Sequence, residues 1–181
     1  MAWLWKQGRP TLLALAGLGL LGYKALQWRR QEDVHGQVVL ITGSSHGLGL
    51  ALAREFARAG CRLVLCARDP QELADAQHDI AQRGAEVLAV SCDVADRGQV
   101  QHLVAQAIQR FGRIDILVNN AGIIQVGPMH TATEEDFTTA LDVMFWGVLY
   151  PTLAVLPQMR ARHSGQIVNI TSYTPRPPMP P

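Results

Sequence analysis

A glycine-rich turn between a strand-like and a helix-like segment constrains the fold of this chain more than any other feature. Residues 38–42 (VVLIT) are an apolar, β-branched run typical of a buried parallel strand. The turn GSSHGLG follows, and an apolar helical pattern continues to residue 59. Gly43 permits a tight turn, Gly47 permits a close approach of the backbone to a pyrophosphate, and Gly49 permits close packing of the helix. This arrangement predicts a dinucleotide-binding βαβ unit with phosphates at the helix N-terminus.

Strand-like and helix-like segments alternate along the rest of the chain. Further strands are predicted at residues 62–66, 86–91, 114–118 and 166–171. Further helices are predicted at residues 70–83, at residues 99–111, and from the N-cap Thr133 toward Pro157. Because the strands alternate with helices, we expect an α/β fold with a parallel sheet and right-handed crossovers.

Three further motifs follow the later strands. Asp93-Val94 comes after the third strand, NNAG at residues 119–122 comes after the fourth, and IVNITS at residues 167–172 contains the fifth. Together with Thr42 and the glycine-rich turn, these motifs resemble the classical short-chain dehydrogenase/reductase family over residues 36–172. We therefore predict a Rossmann-type, doubly wound parallel sheet of strand order 3-2-1-4-5, preceded by an N-terminal hydrophobic helix.

The resemblance also implies which residues form the site. In this family the glycine-rich turn, the ends of the next strands and the NNAG motif hold the dinucleotide, and a serine after the fifth strand orients the substrate oxygen. The matching cofactor-binding residues are Thr42, Gly43, Ser45, His46, Gly47, Leu48, Gly49, Arg68, Asp93, Val94, Asn120, Ala121 and Gly122. Ser172 matches the catalytic serine.

The end of the second strand bears on which dinucleotide binds. NAD-dependent proteins typically place an acid there for the ribose hydroxyls, whereas an arginine suits the 2′-phosphate of NADP. Ala67 stands at the position of the acid, and Arg68 follows it. The pattern favours NADP(H), although Asp69 leaves NAD open. His46 would assist the phosphate contact if protonated, and is otherwise a neutral loop histidine.

The rest of the family's catalytic group has no counterpart after Ser172. The resemblance implies a tyrosine with a lysine four residues later, and only nine residues remain. The tyrosines and lysines of the chain lie at other spacings, namely Tyr23, Tyr150, Tyr173, Lys6 and Lys24. Met144 stands where the family has an asparagine that supports a proton relay. We therefore expect a chain that is truncated relative to the family, with a proline-rich tail at residues 173–181.

The first 30 residues differ from the rest in charge and hydropathy. Residues 11–23 are an uninterrupted apolar run, which lies among five basic residues and no acid. The rest of the chain has 11 basic and 15 acidic residues, a net charge of −4. This asymmetry predicts an uncleaved membrane anchor or interfacial helix in residues 1–30, with a disordered leader as the alternative. The formal net charge of +1 gives no reason to expect nucleic acid as a partner.

The three cysteines, Cys61, Cys66 and Cys92, have no metal-ligand spacing. We expect buried free thiols, with the nucleotide-binding domain in a reducing, cytoplasmic compartment at the membrane.

These expectations combine into one functional hypothesis and its rivals. The resemblance implies an NADP(H)-dependent oxidoreductase that acts on the alcohol/carbonyl pair of a small molecule, inactive in this truncated chain. The alternatives are a non-catalytic dinucleotide-binding or interaction module and a gene fragment without a stable product. The sequence leaves the substrate and the oligomeric state open.

Overall fold

The structure of the chain is a computed structural model, and it describes residues 34–124 and 128–172. These residues contain one sheet of five strands. The strands are β1 (Val38–Thr42), β2 (Arg62–Ala67), β3 (Val87–Ser91), β4 (Ile116–Asn119) and β5 (Gln166–Asn169). All neighbouring strands are parallel, and the order is β3-β2-β1-β4-β5. The predicted doubly wound sheet and its strand order are therefore confirmed.

The helices begin and end at the residue types that favour helix termini. The helices are α1 (Gly47–Arg58), α2 (Pro70–Gln82), α3 (Arg97–Phe111), α4 (Glu134–Leu141) and α5 (Gly147–Ala161). Asp69 and Asp96 cap α2 and α3, because each carboxylate accepts two backbone N–H groups of the first turn. The predicted N-cap Thr133 forms a capping box with Asp136. The cap at Asp96 explains why α3 begins two residues earlier than predicted.

The core lies on both faces of the sheet. Successive residues of β1 alternate between the two faces, with Val38 and Leu40 on one side and Val39 and Ile41 on the other. Helices α1 and α2 cover the second face, and α3 and α5 cover the first. Because all five residues of β1 are completely buried, this strand fixes the centre of the domain.

A single helical segment, Glu134–Ala161, contains α4, a π-helical turn (Asp142–Trp146) and α5. It is long and apolar enough to cross a membrane by length and composition. Its buried residues Val143, Val155 and Met159 nevertheless pack in the same cluster as the first face of the sheet. On its other side Phe137, Leu141, Met144, Phe145 and Leu153 are exposed. The segment is thus a helix of the Rossmann domain with one apolar exposed face.

Two expectations fall outside the described residues. The anchor or interfacial helix of residues 1–30 and the proline-rich tail of residues 173–181 are not described. Both therefore remain predictions.

Candidate functional site

An open cavity of about 620 Å³ lies at the carboxyl ends of β1 to β4. In open α/β sheets ligands bind at the carboxyl ends of the strands where the strand order reverses, and here that point lies between β1 and β4. The predicted site residues that line the cavity are Gly43, Ser45, His46, Arg68, Asp93, Val94, Ala121 and Gly122. The structure therefore brings together residues that are up to 79 positions apart in the sequence.

The glycine-rich turn approaches the NNAG loop too closely for a side chain. A Cβ at Gly43 would lie 2.8 Å from the Cα of Ala121, and Gly43 has a φ of +63°. A Cβ at Gly49 would collide with the Gly43 carbonyl oxygen and lie 2.6 Å from Nδ2 of Asn120. Gly47 meets no neighbour, but its φ of +57° is in the left-handed region that favours glycine. Each predicted glycine thus has a steric or conformational reason.

The hydroxyl of Thr42 joins the turn to the NNAG loop. Thr42 is completely buried, and its Oγ1 accepts the backbone N–H groups of Asn120 and Ala121, both at 3.0 Å. In return, Nδ2 of Asn120 donates to the carbonyl oxygens of Thr42 and Gly43, at 3.0 and 2.9 Å. Thr42 and Asn120 are therefore structural supports of the cavity wall and are absent from its surface.

Ser44 is a supporting residue that the sequence analysis missed. Its Oγ accepts the N–H of Cys66 at 2.9 Å, and its own N–H donates to the carbonyl oxygen of Cys66 at 3.1 Å. This buried pair fixes the turn against the end of β2. No local pattern could indicate the contact, because the partners are 22 residues apart.

The N-terminus of α1 faces the turn with its first N–H groups uncapped by a side chain. His46 is the N-cap residue and makes no side-chain cap hydrogen bond. An uncapped helix N-terminus offers free N–H groups and a partial positive charge to an anion. Leu48, a predicted site residue in the first turn of α1, is 56% exposed and does not line the cavity.

Ser45, His46 and Glu72 form a network at the rim of the cavity. Oγ of Ser45 donates to Oε2 of Glu72 at 3.0 Å, and Nδ1 of His46 lies 3.0 Å from the same oxygen. Oγ of Ser45 and Nδ1 of His46 are 2.9 Å apart. Glu72 lies on α2 and was not predicted from the sequence, because nothing local links it to a turn 26 residues earlier.

The end of β2 places one basic and one acidic side chain at the same rim. Arg68 is exposed, and within residues 34–124 and 128–172 it forms no ion pair. Asp69 instead accepts the N–H groups of Gln71 and Glu72 at 2.8 and 2.9 Å through Oδ1. One of its carboxylate oxygens is thus engaged by the start of α2.

Two thiols form part of the cavity lining below the rim. Cys66 and Cys92 are both buried, and neither they nor Cys61 form a disulfide. A side-chain hydrogen bond with the Cys92 thiol, together with burial, raises the pKa of the Cys66 thiol well above its ordinary value. The same hydrogen bond lowers the pKa of the Cys92 thiol. Beside them, Asp93 accepts the N–H of Ala95 at 2.9 Å, and Val94 is buried against Gly147.

The two residues that stand at catalytic positions of the family lie apart from the cavity. Ser172 follows β5 and is exposed, and it is not a lining residue. Met144 lies on the π-helical turn and is 58% exposed. The described residues therefore assemble the nucleotide half of the predicted site.

The cavity fits a dinucleotide by its shape and its donors. The missing Cβ atoms at Gly43 and Gly49 keep the backbone close to the helix N-terminus, whose N–H groups suit a pyrophosphate. The buried thiol of Cys66 and the buried apolar side chain of Val94 suit the face of an aromatic base. Arg68 at the rim suits an anionic or hydroxyl-bearing ribose.

The chain is similar to oxidoreductases along most of its length. The family described as short chain dehydrogenase matches residues 37–180. Oxidoreductase UcpA of Salmonella typhimurium is 43% identical over 141 residues, which are 77% of this chain and 52% of the relative. Dehydrogenase/reductase SDR family member 7B of Bos taurus is 36% identical over 170 residues, which are 90% of this chain and 52% of the relative. The chain thus spans about half the length of these relatives.

Solved structures show the same architecture. A short chain dehydrogenase/reductase from Burkholderia phymatum in complex with NAD gives a TM-score of 0.74 at 33% identity, over 77% of this chain and 50% of that one. Actinorhodin polyketide ketoreductase with NADPH gives a TM-score of 0.73 at 34% identity, over 76% of this chain and 53% of that one. Together with the family match and the glycine-rich turn, these similarities show that the chain belongs to the short chain dehydrogenase family.

Proposed function

We propose that residues 36–172 bind NADP(H) as the nucleotide-binding part of an oxidoreductase that acts on an alcohol/carbonyl pair. The observation that carries this proposal is Arg68, which lies at the rim of the cavity without an ion-pair partner among the described residues. A guanidinium in this position can form charge-assisted hydrogen bonds with a 2′-phosphate.

The position of Asp69 supports NADP over NAD. An acid selects NAD by accepting the ribose hydroxyls, and Asp69 is the nearest acid to the end of β2. Its Oδ1 already accepts two N–H groups at the start of α2, which leaves only Oδ2 to accept the ribose hydroxyls. The relatives do not decide the choice, because their structures include both NAD and NADPH complexes.

The residues of this chain would bind and orient, and the nicotinamide would supply or accept the hydride. The uncapped start of α1 would hold the pyrophosphate, and Cys66 and Val94 would lie against the adenine. Ser172 would orient the substrate oxygen, as the matching serine does in the family. The substrate is a small molecule with a hydroxyl or carbonyl group.

The test is a comparison of NADPH and NADH binding by fluorescence titration of the full chain. We expect tighter binding of NADPH, and Arg68→Ala should reduce the ratio of the two affinities by roughly tenfold, the size of one charged hydrogen bond. Arg110→Ala is the matched control, since Arg110 is an exposed arginine at the far end of α3. Equal affinities in the unmodified chain, or a loss of preference in both variants, would contradict the proposal.

A second candidate function is a dinucleotide-binding module without catalysis. It is favoured by the amino-acid content, because none of the three tyrosines has a lysine four residues later. Both functions require the same cavity, so binding alone does not separate them. Turnover of a carbonyl substrate with NADPH separates them, because only the oxidoreductase would show it.

A further inference from the structure

The network of Ser45, His46 and Glu72 places a carboxylate among hydrogen-bond donors of the cavity rim. Oε2 of Glu72 accepts from Oγ of Ser45 and lies 3.0 Å from Nδ1 of His46. A carboxylate oxygen accepts hydrogen bonds, so the tautomer of His46 that carries its hydrogen on Nδ1 donates to Oε2 of Glu72 in this arrangement. Two donors of the glycine-rich turn are therefore directed at an anion that belongs to the protein itself.

The same donors lie beside the proposed phosphate contact. Ser45, His46, Glu72 and Arg68 all line the cavity. A 2′-phosphate held by Arg68 would be a second anion at this rim, and it would accept hydrogen bonds from the same kinds of donor. Two anions that share donors at about 3 Å repel each other, so the carboxylate and the phosphate cannot both keep these contacts.

We propose that Glu72 is a specificity-determining residue whose carboxylate competes with the 2′-phosphate for Ser45 and His46. Glu72 thereby lowers the affinity for NADP(H) relative to NAD(H), which has no phosphate at this position. This inference rests on the proposed function, because it requires that the dinucleotide bind with its adenosine ribose at Arg68. The cofactor preference is then a difference between the attraction of Arg68 and the competition of Glu72.

The exposure of the network sets the size of the effect. The side chains of His46 and Glu72 are 79% and 54% exposed, so water and salt screen their charges. Exposed charge pairs have small energies, and we therefore expect a change of about twofold to fivefold in affinity. A change in this range is measurable when two nucleotides are compared on the same protein.

The experiment compares Glu72→Gln with Glu86→Gln in the full chain. Glutamine keeps the size of the side chain and is also favoured at the third position of a helix, while it removes the negative charge. Glu86→Gln is the matched control, because Glu86 is an exposed acid that precedes β3. It lies at the amino end of the strands and does not line the cavity. NADPH and NADH are titrated by fluorescence, and thermal melting verifies that each variant is folded.

We expect Glu72→Gln to raise the NADPH affinity about twofold to fivefold and to leave the NADH affinity unchanged. Glu86→Gln should change neither affinity. An unchanged or lowered NADPH/NADH ratio, or the same rise in both variants, would overturn the inference. Arg68→Ala separates the two proposals. If it removes the NADPH preference while Glu72→Gln has no effect, the proposed function stands and the role of Glu72 is wrong.

Discussion

At Gly49 the first helix approaches the glycine-rich turn so closely that a methyl group has no space. The atoms that a Cβ would meet are the Gly43 backbone and Nδ2 of Asn120, and Nδ2 already donates two hydrogen bonds. Neither neighbour can move without breaking the contacts that hold the NNAG loop. The position therefore requires glycine for packing, independently of any ligand.

We expect Gly49→Ala to lower the free energy of unfolding by about 1–3 kcal/mol, the usual cost of overpacking. Dinucleotide binding should weaken at least as much, because the turn and the helix N-terminus would separate. Urea unfolding and fluorescence titration measure the two effects. Gly122→Ala is the comparison, since a Cβ there would lie 3.9 Å from its nearest neighbour. If both variants were equally stable, close packing at Gly49 would not matter.

Residues whose role is set by the local backbone were predictable, and residues whose role depends on a distant partner were not. The spacing of Gly43, Gly47 and Gly49 reflects a turn within one short segment, so the pattern alone indicates it. The contacts of Ser44 and Glu72 instead depend on strand register and helix placement, which bring together residues 22 and 27 positions apart. A single sequence contains no local trace of such contacts.

At the scale of elements, Asp115 connects β1, the start of β4 and the end of α5. Oδ2 accepts the N–H of Val38 at 3.0 Å, and Oδ1 accepts from Nη1 of Arg162 at 2.9 Å. Burial by itself would raise the pKa of this carboxyl, which is only 12% exposed. The hydrogen bonds from Val38 and Arg162 and the charge of Arg113 outweigh burial, and the pKa of Asp115 is lower than its ordinary value.

This lowered pKa predicts a stability that depends on pH. A carboxyl whose pKa is lower in the folded protein stabilises it above the unfolded value, near 4, and the stabilisation is lost as the pH falls through the folded value. We expect Asp115→Asn to cost about 1–3 kcal/mol at pH 7 and to reduce the loss of stability below about pH 4. Urea midpoints across this pH range measure both.

Asp75→Asn is the control for this measurement, since Asp75 is exposed on α2. An acid-induced loss of stability that is equal in both variants and in the unmodified chain would show that Asp115 does not contribute.

The boundaries of helices could be predicted from the sequence where a capping residue defines them, and could not be predicted where packing defines them. Thr133 was predictable as an N-cap because its signal, a threonine followed by three acids, is local. The π-helical turn at Asp142–Trp146 was not predicted, and neither was the continuation of α5 beyond Pro157 to Ala161. Both features depend on how Val143, Val155 and Met159 pack against the sheet, which outweighs local propensity.

At the scale of the whole molecule, we predict that this 181-residue chain does not catalyse hydride transfer at an ordinary rate. The family's tyrosine and lysine have no match in it, and without a positioned proton donor a reductase loses roughly 10²–10⁴-fold in rate. The measurement is NADPH oxidation by the purified chain with a panel of ketones and aldehydes. Joining a relative's segment after Ser172 should produce turnover. Ordinary turnover in the unmodified chain would refute the prediction.

We also predict that residues 1–30 bring the chain to membranes, because an apolar run with basic and aromatic flanks suits the bilayer interface. Sedimentation with anionic phospholipid vesicles compares the full chain with one that begins at Gln31. We expect the full chain in the vesicle fraction and the shorter one in the supernatant. If both remained in the supernatant, the localisation at a membrane would be wrong.

The central position of β1 has a consequence for the order in which the molecule is built. This strand is the first to leave the ribosome, but it pairs with β4, whose residues follow after about 77 further positions. Closing so long a loop costs entropy that local contacts do not repay, and such pairings slow folding. Asn120 and Ala121, whose N–H groups join the NNAG loop to Thr42, arrive with β4. We therefore expect the proposed nucleotide site to be incomplete in a nascent chain until residue 122 has emerged and docked.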